Sequence, residues 1–197
     1  RRGVIFPEPG CIVQPSLVIG LGKIGLETLL HLRRFISQQH GQAGILPQIR
    51  VVAIDTDAES LQKAGQEDAR WALRGHEVVH ARINRPSYYL RRDGTLPTDD
   101  WISSKVVFRI STRQMNQAML RAVGRLALVD HFRTILKRLD EQLQACCSEE
   151  TLHALEQSAD LGIRSAVPRV YIVTSLGGAT GSGMFLDLAY VAKQQLR

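Results

Sequence analysis

The residues of this chain whose types and spacing could do chemistry are two glycine-rich loops and a pair of acids. GGATGSG at 177–183 places four glycines and two hydroxyl residues in seven positions, with no charge, directly after the apolar run VYIVTS. Such a stretch exposes backbone N–H groups. With the hydroxyls of Thr180 and Ser182 and the N-terminus of a following helix, these groups can hold an anion. An earlier segment, GLGKIG, satisfies G-x-G-x-x-G with Gly20, Gly22 and Gly25. Its glycines permit a tight turn and close backbone approach, and the helix that follows adds partial positive charge for a phosphate. GGATGSG lacks the Lys of G-x-x-x-x-G-K-[ST] and is not a Walker P-loop. Asp55 closes the run IRVVAID, 30 residues beyond Gly25, where a dinucleotide site would carry its ribose-binding acid. The first loop and Asp55 leave an NAD(P)-binding oxidoreductase domain and a mononucleotide-binding domain both open. The second loop favours the mononucleotide, because a dinucleotide fold has no general use for another phosphate cradle. The histidines, His31, His40, His76, His80, His131 and His153, read as helix-surface or loop residues and suggest no nucleophile–base pair.

Positioning these loops requires strands that end at them and helices that begin there. SLVIG, between Pro15 and Gly20, predicts a buried strand. The spacing of Leu26, Leu29, Leu30, Leu32, Phe35 and Ile36 predicts a helix from about 26 to 39. IRVVAID is a second buried strand, giving a βαβ unit. AESLQKAG predicts a short helix and NRPSYYLRRDGTLPTDDW an extended loop. A long helical tract runs over 112–146, with an interruption expected near Gly124. SEETLHALEQSA is a further helix capped at Ser148, followed by the strand RVYIVTS and a helix over 183–196. Helices alternating with apolar strands mean an α/β fold with a mostly parallel sheet, read as a single domain over 1–197.

Composition excludes several classes. The chain has 197 residues, 44% hydrophobic and 22% charged, the profile of an ordinary globular protein rather than a disordered one. No window approaches the roughly 18 apolar residues of a membrane span, and RRGVIFPEPG lacks a signal-peptide core, so a cytoplasmic protein is expected. Beginning at Arg1 and ending inside a helical pattern, it reads as an N-terminal piece of a longer chain. Cys146 and Cys147 are adjacent and Cys11 is remote, which fits neither a disulfide framework nor a CxxC metal site and predicts ordinary thiols. The net charge of +6 is spread over probable helices, favouring a solvated surface over a nucleic-acid footprint. Arg82, Arg85, Arg91 and Arg92 around Tyr88 and Tyr89 have the aromatic interleaving of a single-strand binder, but their Pro and Gly content reads as a loop insertion.

GGATGSG resembles the GGGTGSG signature of the tubulin/FtsZ superfamily, with Ala179 in place of the third glycine. VIGLGKIGLE resembles that superfamily's first phosphate loop, VVAIDTDAESL its second-strand motif, and RAVGRLAL the stretch after its third loop; the overall look is closest to bacterial tubulin-like proteins. These motifs occur in the family's order over most of the chain. The resemblance implies a Rossmann-like three-layer domain that binds GTP or GDP with Mg²⁺. It places Gly20, Leu21, Gly22, Lys23 and Gly25 on one side of the phosphates and Gly177, Gly178, Ala179, Thr180, Gly181, Ser182 and Gly183 on the other. It sets Asp55 and Asp57 near the phosphates and the magnesium ion, with Asp57 the metal residue; the alternative for these acids is capping the helix at AESL. It further implies head-to-tail self-association and GTP hydrolysis only in the assembly, so that this chain alone is inactive, or else a degenerate scaffold that does not hydrolyse. Leu21 or Lys23 stands where tubulins carry Gln, and the glycine-rich third loop is not recognisable, leaving Arg113 or Arg121 as a replacement cation.

Overall fold

The computed structural model describes residues 12–40, 46–89, 101–112, 117–157, 162–163 and 167–196. A short strand β1 (Ile12–Val13) leads into β2 (Ser16–Leu21), helix α1 (Gly22–His40), β3 (Ile49–Asp55) and α2 (Ala58–Gly65). After a 3-10 turn at Gly75–Glu77 come β4 (Val78–His80), α3 (Pro86–Tyr89), α4 (Ser104–Thr112), α5 (Gln117–Cys146) and α6 (Glu149–Gln157). The chain then runs through β5 (Gly162–Ile163) and β6 (Arg169–Thr174) into α7 (Ala179–Gln195).

The main sheet has the order β4-β3-β2-β6, and every pairing in it is parallel. Its two faces bury different sets of side chains, which is why its central strands are continuous apolar runs rather than alternating ones. Leu17, Ile19 and Leu21 of β2 and Val52 and Ile54 of β3 join Ala127, Leu128, Ile135 and Leu139 of α5 and Met184 and Leu188 of α7. Val51 and Ala53 of β3 turn the other way, onto Leu26 and Leu29 of α1 and Leu61 and Ala64 of α2. The result is the expected α/β Rossmann-like arrangement of helix, parallel sheet and helix. No helix of the described residues is long and apolar enough to cross a membrane.

Several elements differ from the sequence reading. Helix α1 begins at Gly22, four residues before the predicted start, because its first turn is built from the glycine loop itself. For the same reason α7 begins at Ala179 rather than near 183. Helix α5 is unbroken at Gly124. Its glycine serves the crossing with α7: a Cβ there would overlap the carbonyl oxygen of Ala179 and stand 3.1 Å from the Cα of Gly183. Strand β4 was missed because it is three residues long, too short for its alternation to register. Within the predicted loop, Pro86–Tyr89 forms a helical turn, held by Tyr89 Oη, which accepts from Asn84 N (2.8 Å) and donates to Asp130 Oδ2 (3.3 Å). Residues 90–100, and with them Arg91 and Arg92, lie outside the described residues, as does Arg113. Ser148 does cap α6, its Oγ accepting from Thr151 N at 3.3 Å.

Arg33, read as part of a scattered basic surface, is instead buried. Its Nη1 donates to Glu77 Oε2 and to Ala72 O, both at 2.7 Å. The pair anchors α1 to the turn that feeds β4.

Candidate functional site

Strand β2 lies between β3, which follows it, and β6, to which the chain returns last. The strand order therefore reverses at β2, and the C-terminal edge beside it is the switch point where open α/β sheets bind ligands. Leu21, the last residue of β2, is in register with Thr174 of β6 on one side and Ile54 of β3 on the other. Thr174 Oγ1 donates to the Leu21 carbonyl at 3.3 Å, stitching the two strand ends together.

Three loops leave this edge and enclose an open cleft of about 310 Å³, lined by residues 21–24, by 55–57 with Ser60, and by Ser175 with 178–181. Three helices begin at it, and the N-terminus of α2 is capped by Asp57. Neither α1 nor α7 has an acid in its first turn, and the N-cap residue of α7, Gly178, offers no side-chain cap. Their first-turn N–H groups and positive dipole ends are thus directed at one cleft without an internal counter-charge, an arrangement suited to an anion. Lys23 sits at the mouth, 74% exposed and 4.0 Å from Glu27.

The glycines divide into two groups. Gly22 has φ +68°, a left-handed conformation that L side chains rarely adopt, and this turn brings it against the second loop: a Cβ there would meet Thr180 Cβ at 3.4 Å and Gly181 N at 3.8 Å. Gly20 and Gly25 lie behind the cleft, pressed on each other, where a Cβ on Gly20 would stand 2.7 Å from Gly25 O and one on Gly25 2.6 Å from Val173 O. Gly181 is held against the Thr174 hydroxyl and the Ser175 carbonyl, and Gly183 against the backbone of α5 at Arg121 and Gly124. At Gly178, by contrast, a Cβ would meet nothing within 4 Å, and at Gly177 only Ser175 Oγ at 3.6 Å. No packing partner excludes a side chain at these two, and their bareness leaves the loop backbone uncovered.

The acids are placed differently from each other. Asp55 is buried, and its Oδ1 accepts from Thr56 N (2.7 Å), Asp57 N (3.3 Å) and Thr180 Oγ1 (3.0 Å). A threonine hydroxyl carries one proton. With that of Thr180 given to the Asp55 carboxylate, its 3.0 Å contact with Thr56 Oγ1 is a bond that Thr56 donates. A chain of hydroxyls therefore ties the second-strand loop to the GGATGSG loop. Among the described residues Asp55 Oδ2 makes no hydrogen bond. Burial raises the Asp55 pKa above the ordinary carboxylate value, against the lowering effect of these hydrogen bonds, Thr180's first.

Asp57 is the helix cap. Its Oδ1 accepts from Glu59 N (3.3 Å), and its Oδ2 from Ser60 N (3.2 Å) and Ser60 Oγ (2.6 Å). The capping alternative thus applies to Asp57 and not to Asp55. The Ser60 hydroxyl chiefly, and then the two backbone N–H groups, hold its pKa below the ordinary value. Asp57→Ala is expected to cost about 1 kcal/mol at neutral pH. Because the folded-state pKa is the lower one, the ionised cap stabilises above the unfolded value, and this contribution fades as the pH falls through the folded one. Urea denaturation at neutral and acid pH tests this, and a penalty that stays constant with pH would contradict it.

Of the residues chosen from sequence, Leu21, Gly22, Lys23, Asp55, Asp57, Gly178, Ala179, Thr180 and Gly181 line the one cleft. Gly20, Gly25 and Gly183 support it from behind. Ser182 turns its hydroxyl back to the Gly178 carbonyl within its own turn, and Arg121, exposed on α5, is not among the residues that line the cleft. The lining residues missed were Ile24, Thr56, Ser60 and Ser175. Thr56 could have been suspected from its place between two acids, and Ser60 from its place three residues after an Asp.

The fold and the edge cleft define a Rossmann-like α/β domain with a loop-lined cleft at the switch point of its parallel sheet. A family model described as "Tubulin like" matches residues 17–197. The chain belongs to that tubulin-like family. No curated protein and no solved structure matches it.

Proposed function

We propose that this chain is a single domain that binds guanine nucleotide, GTP or GDP, with Mg²⁺, in a tubulin-like protein that associates head to tail. The observation that carries the reading is the meeting of two helix N-termini and one buried carboxylate in a single cleft at the switch point. In it, the backbone of Gly22 and Lys23 and that of Gly178, Ala179, Thr180 and Gly181 face the phosphates from two sides, with Gly20, Gly25, Gly177, Ser182 and Gly183 shaping the loops. An acid among anion-binding groups is unfavourable unless a divalent cation lies between, and Mg²⁺ commonly takes one or two carboxylates together with phosphate oxygens. The groups fit such an ion: Asp55 has an oxygen to spare, while Asp57, with both oxygens in the cap, would act from the rim through water. When bound, Mg²⁺ supplies charge neutralisation on the phosphates.

Family membership supports self-association, and a head-to-tail contact is heterologous and generates open filaments. Turnover, in this reading, requires the assembly, where a neighbouring copy completes the site. Isothermal titration with GTP, GDP, ATP and NAD in the presence of Mg²⁺ tests the nucleotide. Binding of GTP and GDP is expected; measurable affinity for NAD with none for either guanine nucleotide would sink the proposal and restore the oxidoreductase reading.

A further inference from the structure

The far end of α5 carries a feature that the nucleotide site does not use. Gly124 crosses α7 beside the cleft, and Cys146 is the last residue of the same helix, roughly 33 Å further along at 1.5 Å per residue. Cys147 follows immediately. The two sulfurs are 3.7 Å apart; Cys146 is fully buried and Cys147 partly exposed.

That spacing does not suit a disulfide. The S–S bond is about 2.05 Å and joins residues whose Cα atoms are usually about 4.4–6.8 Å apart, whereas neighbours across a trans peptide are about 3.8 Å apart. It does suit a bridging cation. With metal–sulfur bonds of about 2.3 Å, sulfurs 3.7 Å apart subtend an angle of about 107° at the metal, close to tetrahedral. We propose that Cys146 and Cys147 form a two-thiolate chelate for a thiophilic divalent cation of the zinc class. Binding exchanges two S–H protons for two metal–sulfur bonds, with no change of oxidation state. Cys146 gives up its hydrogen bond to the Leu143 carbonyl (3.1 Å). Burial, and then the neighbouring Cys147, push the Cys146 thiol up to about 12, so the ion must displace a firmly held proton, and Arg50 opposes them as the nearby counter-charge; among the described residues its buried Nε has no hydrogen-bond partner. No cluster of three or more His, Cys, Asp or Glu occurs among the described residues. The described residues thus supply two protein ligands, fewer than the four of a closed structural zinc site.

Cadmium is the probe, because its thiolate complexes absorb in the ultraviolet by charge transfer. Titrating the reduced protein with Cd²⁺ is expected to give that band with one ion per chain, undiminished in Cys11→Ser, abolished in Cys147→Ser and competed away by Zn²⁺. Cys147 is partly exposed, so its serine variant should keep the wild-type far-ultraviolet circular dichroism, and any loss then reports on the ligand. Absence of the band in the wild type, its survival in Cys147→Ser, or saturation at half an ion per chain would each overturn the proposal.

Discussion

Asp55→Asn is expected to weaken nucleotide binding in Mg²⁺ by roughly ten- to a hundredfold, the scale of one lost charged contact. In EDTA the same substitution should leave the affinity unchanged or increase it. The reversal follows from charge. Without a divalent cation the carboxylate would repel phosphates drawn to the two helix N-termini, and with one it would hold the ion between them. Asn keeps the acceptor oxygen that serves Thr56 N, Asp57 N and the Thr180 hydroxyl, so the loop geometry survives the change. Titration calorimetry of both proteins in both buffers decides the matter, and an equal loss with and without Mg²⁺ would mean that Asp55 only positions the loop. Stability supplies an independent reading. Burial raises the Asp55 pKa, so the folded protein retains a proton at pH values where the unfolded chain has released it. Stability at this group therefore falls as the pH rises from the unfolded value through the folded one, and stays lower above it. The nucleotide-free Asn variant should melt no lower than wild type at neutral pH, and any advantage should vanish in acid. Asp55 and Asp57 are two residues apart and carry opposite pH signs, because one is buried and the other is an exposed cap.

Gly124→Ala is expected to destabilise the protein by about 2 kcal/mol or more. In an ordinary helix interior the change would stabilise by about 1 kcal/mol, since Ala is the better helix former. Here the new methyl overlaps the Ala179 carbonyl oxygen and lies 2.8 Å from its carbonyl carbon. That obstacle is backbone, at the first residue of α7, and cannot rotate away. Either α5 moves off the sheet, loosening Ala127, Leu128, Ile135 and Leu139 against Met184 and Leu188, or the GGATGSG loop shifts. Overpacking of this kind typically costs about 1–3 kcal/mol and occasionally more, and at a backbone collision the upper part of that range outweighs the propensity gain. Urea denaturation reads the sign directly: a variant as stable as wild type would show that the helices separate freely at this crossing. Because the collision partner belongs to the cleft, a fall in nucleotide affinity should accompany the loss of stability.

Much of this architecture is legible in the sequence because the signals are local. Apolar runs bounded by Pro and Gly mark β2, β3 and β6, and the 3.6-residue spacing from Leu26 onward marks the body of α1. Glycine loops directly after two of those strands place the loop-lined cleft at the C-terminal edge of a parallel sheet, since a strand fixes where its loop emerges. The order of the motifs along the chain carried the family, and residues 17–197 match it. Local signals fail where glycines that look alike have different tasks. GGATGSG reads as one uniform cradle, yet Gly181 and Gly183 are bare so that β6 and α5 can come close, while at Gly177 and Gly178 no packing partner excludes a side chain. Likewise Arg33 looks like surface until Glu77, 44 positions away, arrives beside it in the core. The acid that keeps an oxygen uncommitted is set by Thr180, 125 positions from Asp55. Periodicity and turn chemistry determine which segments become strands and helices. Which hydroxyl reaches which carboxylate depends on contacts between distant segments, and those exist only once the sheet has brought its strand ends together.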